Sequence, residues 1–202
     1  MSTPTPVPIS DHPDAPAWLR RADTSGALIT VEQEGRVIWH AGTWFGGTWF
    51  GGHWCGGTWC GGYWHGGTWC GGDWYGGDWR DGRWYGGYWH EGHWHEGTWF
   101  DGTWRGGRWR AGVWHGGDWL YGTWHDGTWC GGRWFGGRWC GGVWHDGVWH
   151  GGHWFGGVWH DGVWYGGYWH GGDWLDGDWH AGTWFDGVWH GGDWHQTTGA
   201  TP

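Results

Sequence analysis

Gly42-Thr43-Trp44-Phe45-Gly46-Gly47-Thr48-Trp49-Phe50-Gly51 is one five-residue unit, G-x-W-x-(G/D), written twice. The unit runs in strict phase from Trp39 to Trp194, and of the 33 Trp in the chain only Trp18 stands outside it. The residue two before each Trp is Gly without exception from Gly42 to Gly192. The residue two after is mostly Gly or Asp, with Ala, Glu and Tyr121 at the remaining sites. The residues on either side of each Trp vary freely among Thr, Val, Asp, Arg, Tyr, His, Phe, Cys and Leu. Length alone suggests one or two domains, but so short and regular a period makes the repeats a single quasi-one-dimensional array.

In an extended segment alternate side chains point to opposite faces. Gly42, Trp44 and Gly46 therefore share one face, and Thr43 and Phe45 the other. The flanking positions favour β-branched and aromatic residues, as strands do, and the G-G and D-G pairs are turn signals. A Gly that is never replaced by Ala implies a positive φ or a large neighbour in the place of its missing methyl.

These features predict an all-β fold: a β-solenoid of five-residue repeats, about four per coil, with the Trp stacked inward. At four units per coil the array makes about eight coils, a rod on the order of 40 Å long. The inward set includes Trp44, Trp49, Trp54, Trp94, Trp114, Trp144 and Trp194. The alternative is a single-layer antiparallel meander of very short strands. That arrangement wants Asn, Asp or Gly at the first turn position, where Ala, Glu and Tyr occur here. It also places Arg80 opposite Arg83 and leaves every Trp on an open face. A corner with Gly second accepts the observed residues. Residues 143–157 (VWHDGVWHGGHWFGG) are nearly copied at 158–172 (VWHDGVWYGGYWHGG), which reads either as a duplication or as a turn of three units.

On these residues the chain resembles the pentapeptide-repeat proteins. Their unit has a bulky apolar centre, here Trp44, Trp49 or Trp54, and a small residue two before it, here Gly42, Gly47 or Gly52. The resemblance covers about three quarters of the chain. It implies a right-handed, four-sided β-helix with both residues inside, and a possible DNA-mimic role, because some members bind type II topoisomerases.

The array spans residues 42–195. Ahead of it, residues 1–17 hold five of the six Pro and read as a disordered tail. Residues 18–41 contain two β-prone runs, 27–31 and 36–39, around Glu32-Gln33-Glu34-Gly35, which read as a hairpin capping the first coil. Residues 196–202 are too short and polar to cap the other end and read as a second disordered tail, so association through that end, most simply as a homodimer, is expected.

Composition narrows the function. Lys is absent and the formal net charge is −10, which argues against nucleic acid as the partner. There is no apolar run long enough for a signal peptide or membrane span. Five Cys at irregular spacing do not form a disulfide framework, so a cytoplasmic protein is expected, with a virion as the other setting. No nucleophile–base pair and no phosphate loop is present, and no enzyme or cofactor is expected. The best metal candidates are His90, His93 and His95, of which His93 and His95 flank Trp94 on one outward face. They compete with the simple reading that His is common after Trp throughout. Cys55, Cys60 and Cys70, with His53 and His65, read as solvated variable positions. Arg80, Arg83, Arg105, Arg108, Arg110, Arg133 and Arg138 are expected to pair with carboxylates on neighbouring coils rather than to form a basic patch. The leading expectation is a non-enzymatic structural or interaction rod that presents its variable outer surface to a protein partner, such as a phage or surface-associated fibre element. The alternatives are an acidic DNA mimic, and a repeat that binds glycans or a flat lattice through exposed aromatics.

Overall fold

The structure, a computed structural model, describes residues 5–195. The array is a parallel β-solenoid. Each unit contributes a two-residue strand, such as Val113–Trp114, and each strand pairs in parallel and in register with the strand fifteen residues on. Trp114 sits over Trp99 and under Trp129, and Val113 under Thr128. Two further backbone hydrogen bonds tie every unit to the coil below. In this unit Val113 N–H donates to the Gly97 carbonyl at 3.0 Å and His115 N–H to the Trp99 carbonyl at 2.8 Å.

A fifteen-residue step means three units per coil, not four, and a rod on the order of 50 Å long rather than 40 Å. It also means that the near copy of residues 143–157 at 158–172 is one full turn of the rod. The cause is the flat indole. Rings stacked in a ladder lie 4.5 to 5.1 Å apart between centroids and 2° to 9° from parallel. Strands ~4.8 Å apart bring stacked rings to a contact of ~3.5 Å only if the ring normals tilt by about 43° from the rod axis. Three rings so tilted around a three-fold axis meet at about 73°, whereas four around a four-fold axis meet at about 58°. Consecutive indoles within a coil lie 5.4 to 6.0 Å apart at 70° to 79°, the edge-to-face geometry that aromatic pairs prefer. Three sides satisfy both kinds of ring contact at once.

Every Trp from Trp39 to Trp179 is fully buried. Trp184, Trp189 and Trp194 have no coil above them among the described residues and are only partly buried, so Trp194 is not a full core residue as expected.

The corner glycine meets the backbone of the coil below first and, at several corners, an indole as well: a Cβ on Gly82 would lie 3.0 Å from the Trp79 ring. Gly117 has φ +98°, and a Cβ there would overlap the Gly102 carbonyl oxygen of the coil below. The position before it is different: a Cβ on Gly116 would lie 3.5 Å from the Phe100 carbonyl oxygen, an ordinary contact. Where Asp takes that place its carboxylate accepts the next N–H, as Asp126 does from Gly127 at 2.7 Å. The same bond recurs at Asp81, Asp101, Asp146, Asp161, Asp176 and Asp186. This is the reason Gly and Asp alternate there.

At the N-terminal end β2 (Asp23–Val31) pairs antiparallel with β3 (Val37–Gly46), whose second half already forms part of the first coil. The short helix α1 (Ala17–Arg20) sets Trp18 edge-on against Trp49, 5.3 Å between centroids, and buries Leu19. Residues 5–17, expected within a disordered tail, are ordered. Val7–Pro8 forms β1 on the free edge of β2, and the Arg20 guanidinium gathers the carbonyls of His12, Pro13 and Ala15. The Pro-rich composition hid this, because β1 needs only two residues and a side-chain clamp from outside the segment. The tail expected over 196–202, and residues 1–4, lie outside the described residues.

Two predictions follow the geometry. Trp114→Ala is expected to cost about 3–5 kcal/mol in denaturant melts, and Val113→Ala or His115→Ala much less; equal costs at all three would refute the inward stack. Gly117→Ala is expected to cost more than about 1 kcal/mol, while Gly116→Asp is near neutral because its carboxylate can accept the Gly117 N–H. A benign Gly117→Ala would contradict the corner described here.

Candidate functional site

With the interior given over to Trp, the outer side chains carry whatever chemistry the rod has. Each side shows two columns, the residues before and after its Trp. Two contact rules follow: a residue stacks on the one fifteen positions later, and a residue before Trp meets the residue after Trp on the coil above, seventeen positions on.

The second rule sorts the metal candidates. His93 and His95 do share a side, and both face Asp78, at 3.0 Å from His93 Nδ1 and 3.6 Å from His95 Nε2. His90 lies on the adjacent side and faces Asp73 at 3.3 Å. The three His are therefore not one constellation, and Asp78, fifteen residues before His93, is the partner that local sequence reading missed. A tighter group lies in the last coils. Asp178, Asp193 and His195 bring ligand atoms within 4.8 Å of one another, with His195 Nε2 at 3.2 Å from Asp178 Oδ1. Of the two groups only the last brings all its ligand atoms to one point, and its imidazole nitrogen and carboxylate oxygens are a donor set suited to Zn²⁺, Ni²⁺ or Cu²⁺.

The cysteines are placed by the same rules. Cys55 and Cys70 are stacked neighbours in one column, while Cys60 lies on another side. Burial, and then the adjacent Cys70, push the Cys55 thiol up; burial also raises Cys130 and Cys140, opposed at Cys140 by Arg138. These shifts favour the neutral thiol over the nucleophilic thiolate.

The expected pairing of the arginines with carboxylates fails at all but one position. Arg133 grips Asp118 with two bonds of 2.7 Å. Arg105 and Arg138 lie over the rings of Tyr88 and Phe155 instead. The guanidinium groups of Arg80, Arg83, Arg108 and Arg110 make no hydrogen bond or ion pair among the described residues. The cause is register: only Asp118 stands fifteen residues before an Arg in its own column.

Sequence reading also missed ladders of outer rings. Phe135, His150, Tyr165, His180 and His195 stack at 4.7 to 5.5 Å along one edge. Phe155, His170 and Phe185 form another at 4.6 and 5.0 Å. His153 Nδ1 lies 3.2 Å from His170 Nε2, a contact that lets one ring donate only while the other is neutral. Burial first, then His153, hold His170 below the usual imidazole range.

Comparison with known protein families, curated proteins and solved structures finds no match to this chain.

A lowered imidazole means that the unfolded chain binds the proton more readily. The stability tied to His170 is therefore full above about pH 6.5 and is lost as the pH falls below it. Thermal melts at pH 7.5 and pH 5 are expected to show a larger loss for the native chain than for His170→Gln. An equal loss in both would mean that the His153–His170 contact carries no such linkage.

Proposed function

We propose that this chain is a non-catalytic structural or interaction rod, of the kind a fibre or surface assembly uses, whose outer columns meet a protein partner. The observation that carries this reading is the independence of the scaffold from its surface. In one column the residue before Trp runs through Thr68, Arg83, Thr98, Val113 and Thr128, while its N–H bond to the coil below stays between 2.9 and 3.0 Å. The outer residues are thus free to be chosen for contact rather than for folding.

The alternatives gain less support. Binding to glycans or a lattice through Trp needs exposed indoles, and the repeat Trp are enclosed as far as Trp179. A DNA mimic needs an unbroken negative side, and Arg80, Arg108, Arg110 and Arg138 interrupt one of the three. The five-residue period and inward bulky residue follow the pentapeptide-repeat plan, but three sides in place of four favour a shared geometric solution over a shared role.

For the partner at the last coil we propose a second copy of the chain. Trp184, Trp189 and Trp194 present partly bare rings beside strand edges whose backbone groups have no further coil above them among the described residues. Such an end templates further pairing. Two copies meeting there would cover both ends around a two-fold axis. Sedimentation of the full chain is expected to show a concentration-dependent dimer at tens of micromolar. A clean monomer would overturn end-to-end association.

A further inference from the structure

Arg80, His95, Arg110 and His125 follow one another in a single outer column, each after the Trp of its coil. Three steps of ~4.8 Å between these four residues make a ladder about 14 Å long. In the companion column of the same side lie His93, Arg108 and, two coils above Arg108, Arg138. Between the columns is a cleft of 560 Å³ lined by His93, His95, Arg108, Arg110 and His125, with no carboxylate in its wall.

Four arginines, Arg80, Arg108, Arg110 and Arg138, on one side stand out in a chain of net charge −10 with ten basic residues in all. The nearest acids are already engaged or lie at its margins. Asp78 faces His93 and His95 at the lower end. Asp81 and Asp126 turn their carboxylates to the N–H groups of Gly82 and Gly127 at the corners. Glu91 and Glu96 sit at the corners after His90 and His95, and Glu91 borders the neighbouring clefts that Arg108 also lines. Arg80, Arg108 and Arg110 keep their guanidinium groups without a hydrogen bond or ion pair among the described residues. Like charges this close along a ladder repel one another, and a guanidinium fork matches the oxygens of a tetrahedral anion.

We propose that this Arg–His ladder binds an extended anion bearing phosphate or sulfate groups, laid along the rod axis. The groups around His125 give binding a signature. Arg108 and Arg110 face it from the coil below, Arg138 and Cys140 from the coil above, and Thr123 and Asp126 flank it on its own coil. Burial, then the fields of Arg108, Arg110 and Arg138, lower its affinity for a proton. An anion that neutralises those fields restores that affinity, so binding takes up protons. The site lies mid-rod, away from the last coil, and does not depend on end-to-end association.

The test is calorimetric titration of the full chain at low salt and about pH 6.5, in two buffers of different ionisation enthalpy. The titrants are sodium tripolyphosphate and, separately, a heparin tetrasaccharide; whichever binds identifies the phosphate or the sulfate source. The expected result is saturable one-to-one binding with net proton uptake. Arg108→Gln with Arg110→Gln should weaken it more than tenfold. Arg133→Gln should leave it within twofold, because that guanidinium serves Asp118 on another side. The proposal is overturned if neither titrant binds, if native binding takes up no protons, or if Arg133→Gln weakens it as much as the double change. It is also overturned if duplex DNA binds while both short anions fail. Proton uptake by the native chain needs no variant, so a variant that fails to fold does not spoil the test.

Discussion

Indoles stacked on a β-ladder face a mismatch between two distances. Backbone hydrogen bonds hold adjacent strands ~4.8 Å apart, while aromatic faces attract best at ~3.5 Å. Tilting the rings reconciles the two, and nearly everything else in the array depends on that tilt. It makes each ring of a coil meet its neighbours edge to face, and it sets the number of sides at three. An aliphatic core has no plane to tilt and imposes no such choice. The stack has one cost. Trp59 Nε1 donates to the Gly76 carbonyl at 3.1 Å, but 27 other indole N–H groups are buried without a hydrogen-bond partner among the described residues. Each such donor costs about 1–3 kcal/mol. Burying an indole of ~200 Å² at ~25 cal/mol/Å² returns about 5 kcal/mol before any gain from ring contacts. Burial therefore outweighs the orphaned donor.

The close coil spacing also explains the glycines. At the corner the chain of one coil passes directly over the carbonyl of the coil below, and the Gly92 position shows how little room remains: an added Cβ would lie 2.6 Å from the Gly77 oxygen. Its φ of +126° already disfavours any other residue. One residue earlier the constraint vanishes, and an Asp there supplies a bond that Gly cannot. Trp fills the interior, Gly makes the corner, and Asp steadies the corner from outside. Between them they leave two positions in five to vary.

Much of this was legible in the residues. The strand, the inward face, the solenoid and the obligatory corner all follow from Gly42-Thr43-Trp44-Phe45-Gly46 alone, because they depend on neighbours in sequence. The number of sides depends on how Trp114 meets Trp99 and Trp119 in space, which period five does not encode. The near copy at fifteen residues was the available signal. The outer contacts were missed for the same reason. With the coil length unknown, Asp78 could not be brought to His93 and His95, nor Asp118 to Arg133. Once fifteen is known, those partners can be read directly from the sequence.

Register imposes a last constraint on the surface. In a parallel in-register stack each outer residue meets its own column at one coil spacing, so a column of a single charge would accumulate repulsion along the rod. Asp178 and Asp193 do stack directly, with His195 beside them, but other columns avoid this in three ways. Arg133 follows Asp118, so that opposite charges are adjacent. Phe135, His150 and Tyr165 replace charge with stacked rings. The column of Arg80, His95, Arg110 and His125 alternates a fixed charge with a titratable one. In that column an imidazole stands between successive guanidinium groups, so Arg80 and Arg110 lie two coil spacings apart, about 10 Å, rather than one. The alternation thus relieves repulsion that a column of Arg alone would accumulate at every coil.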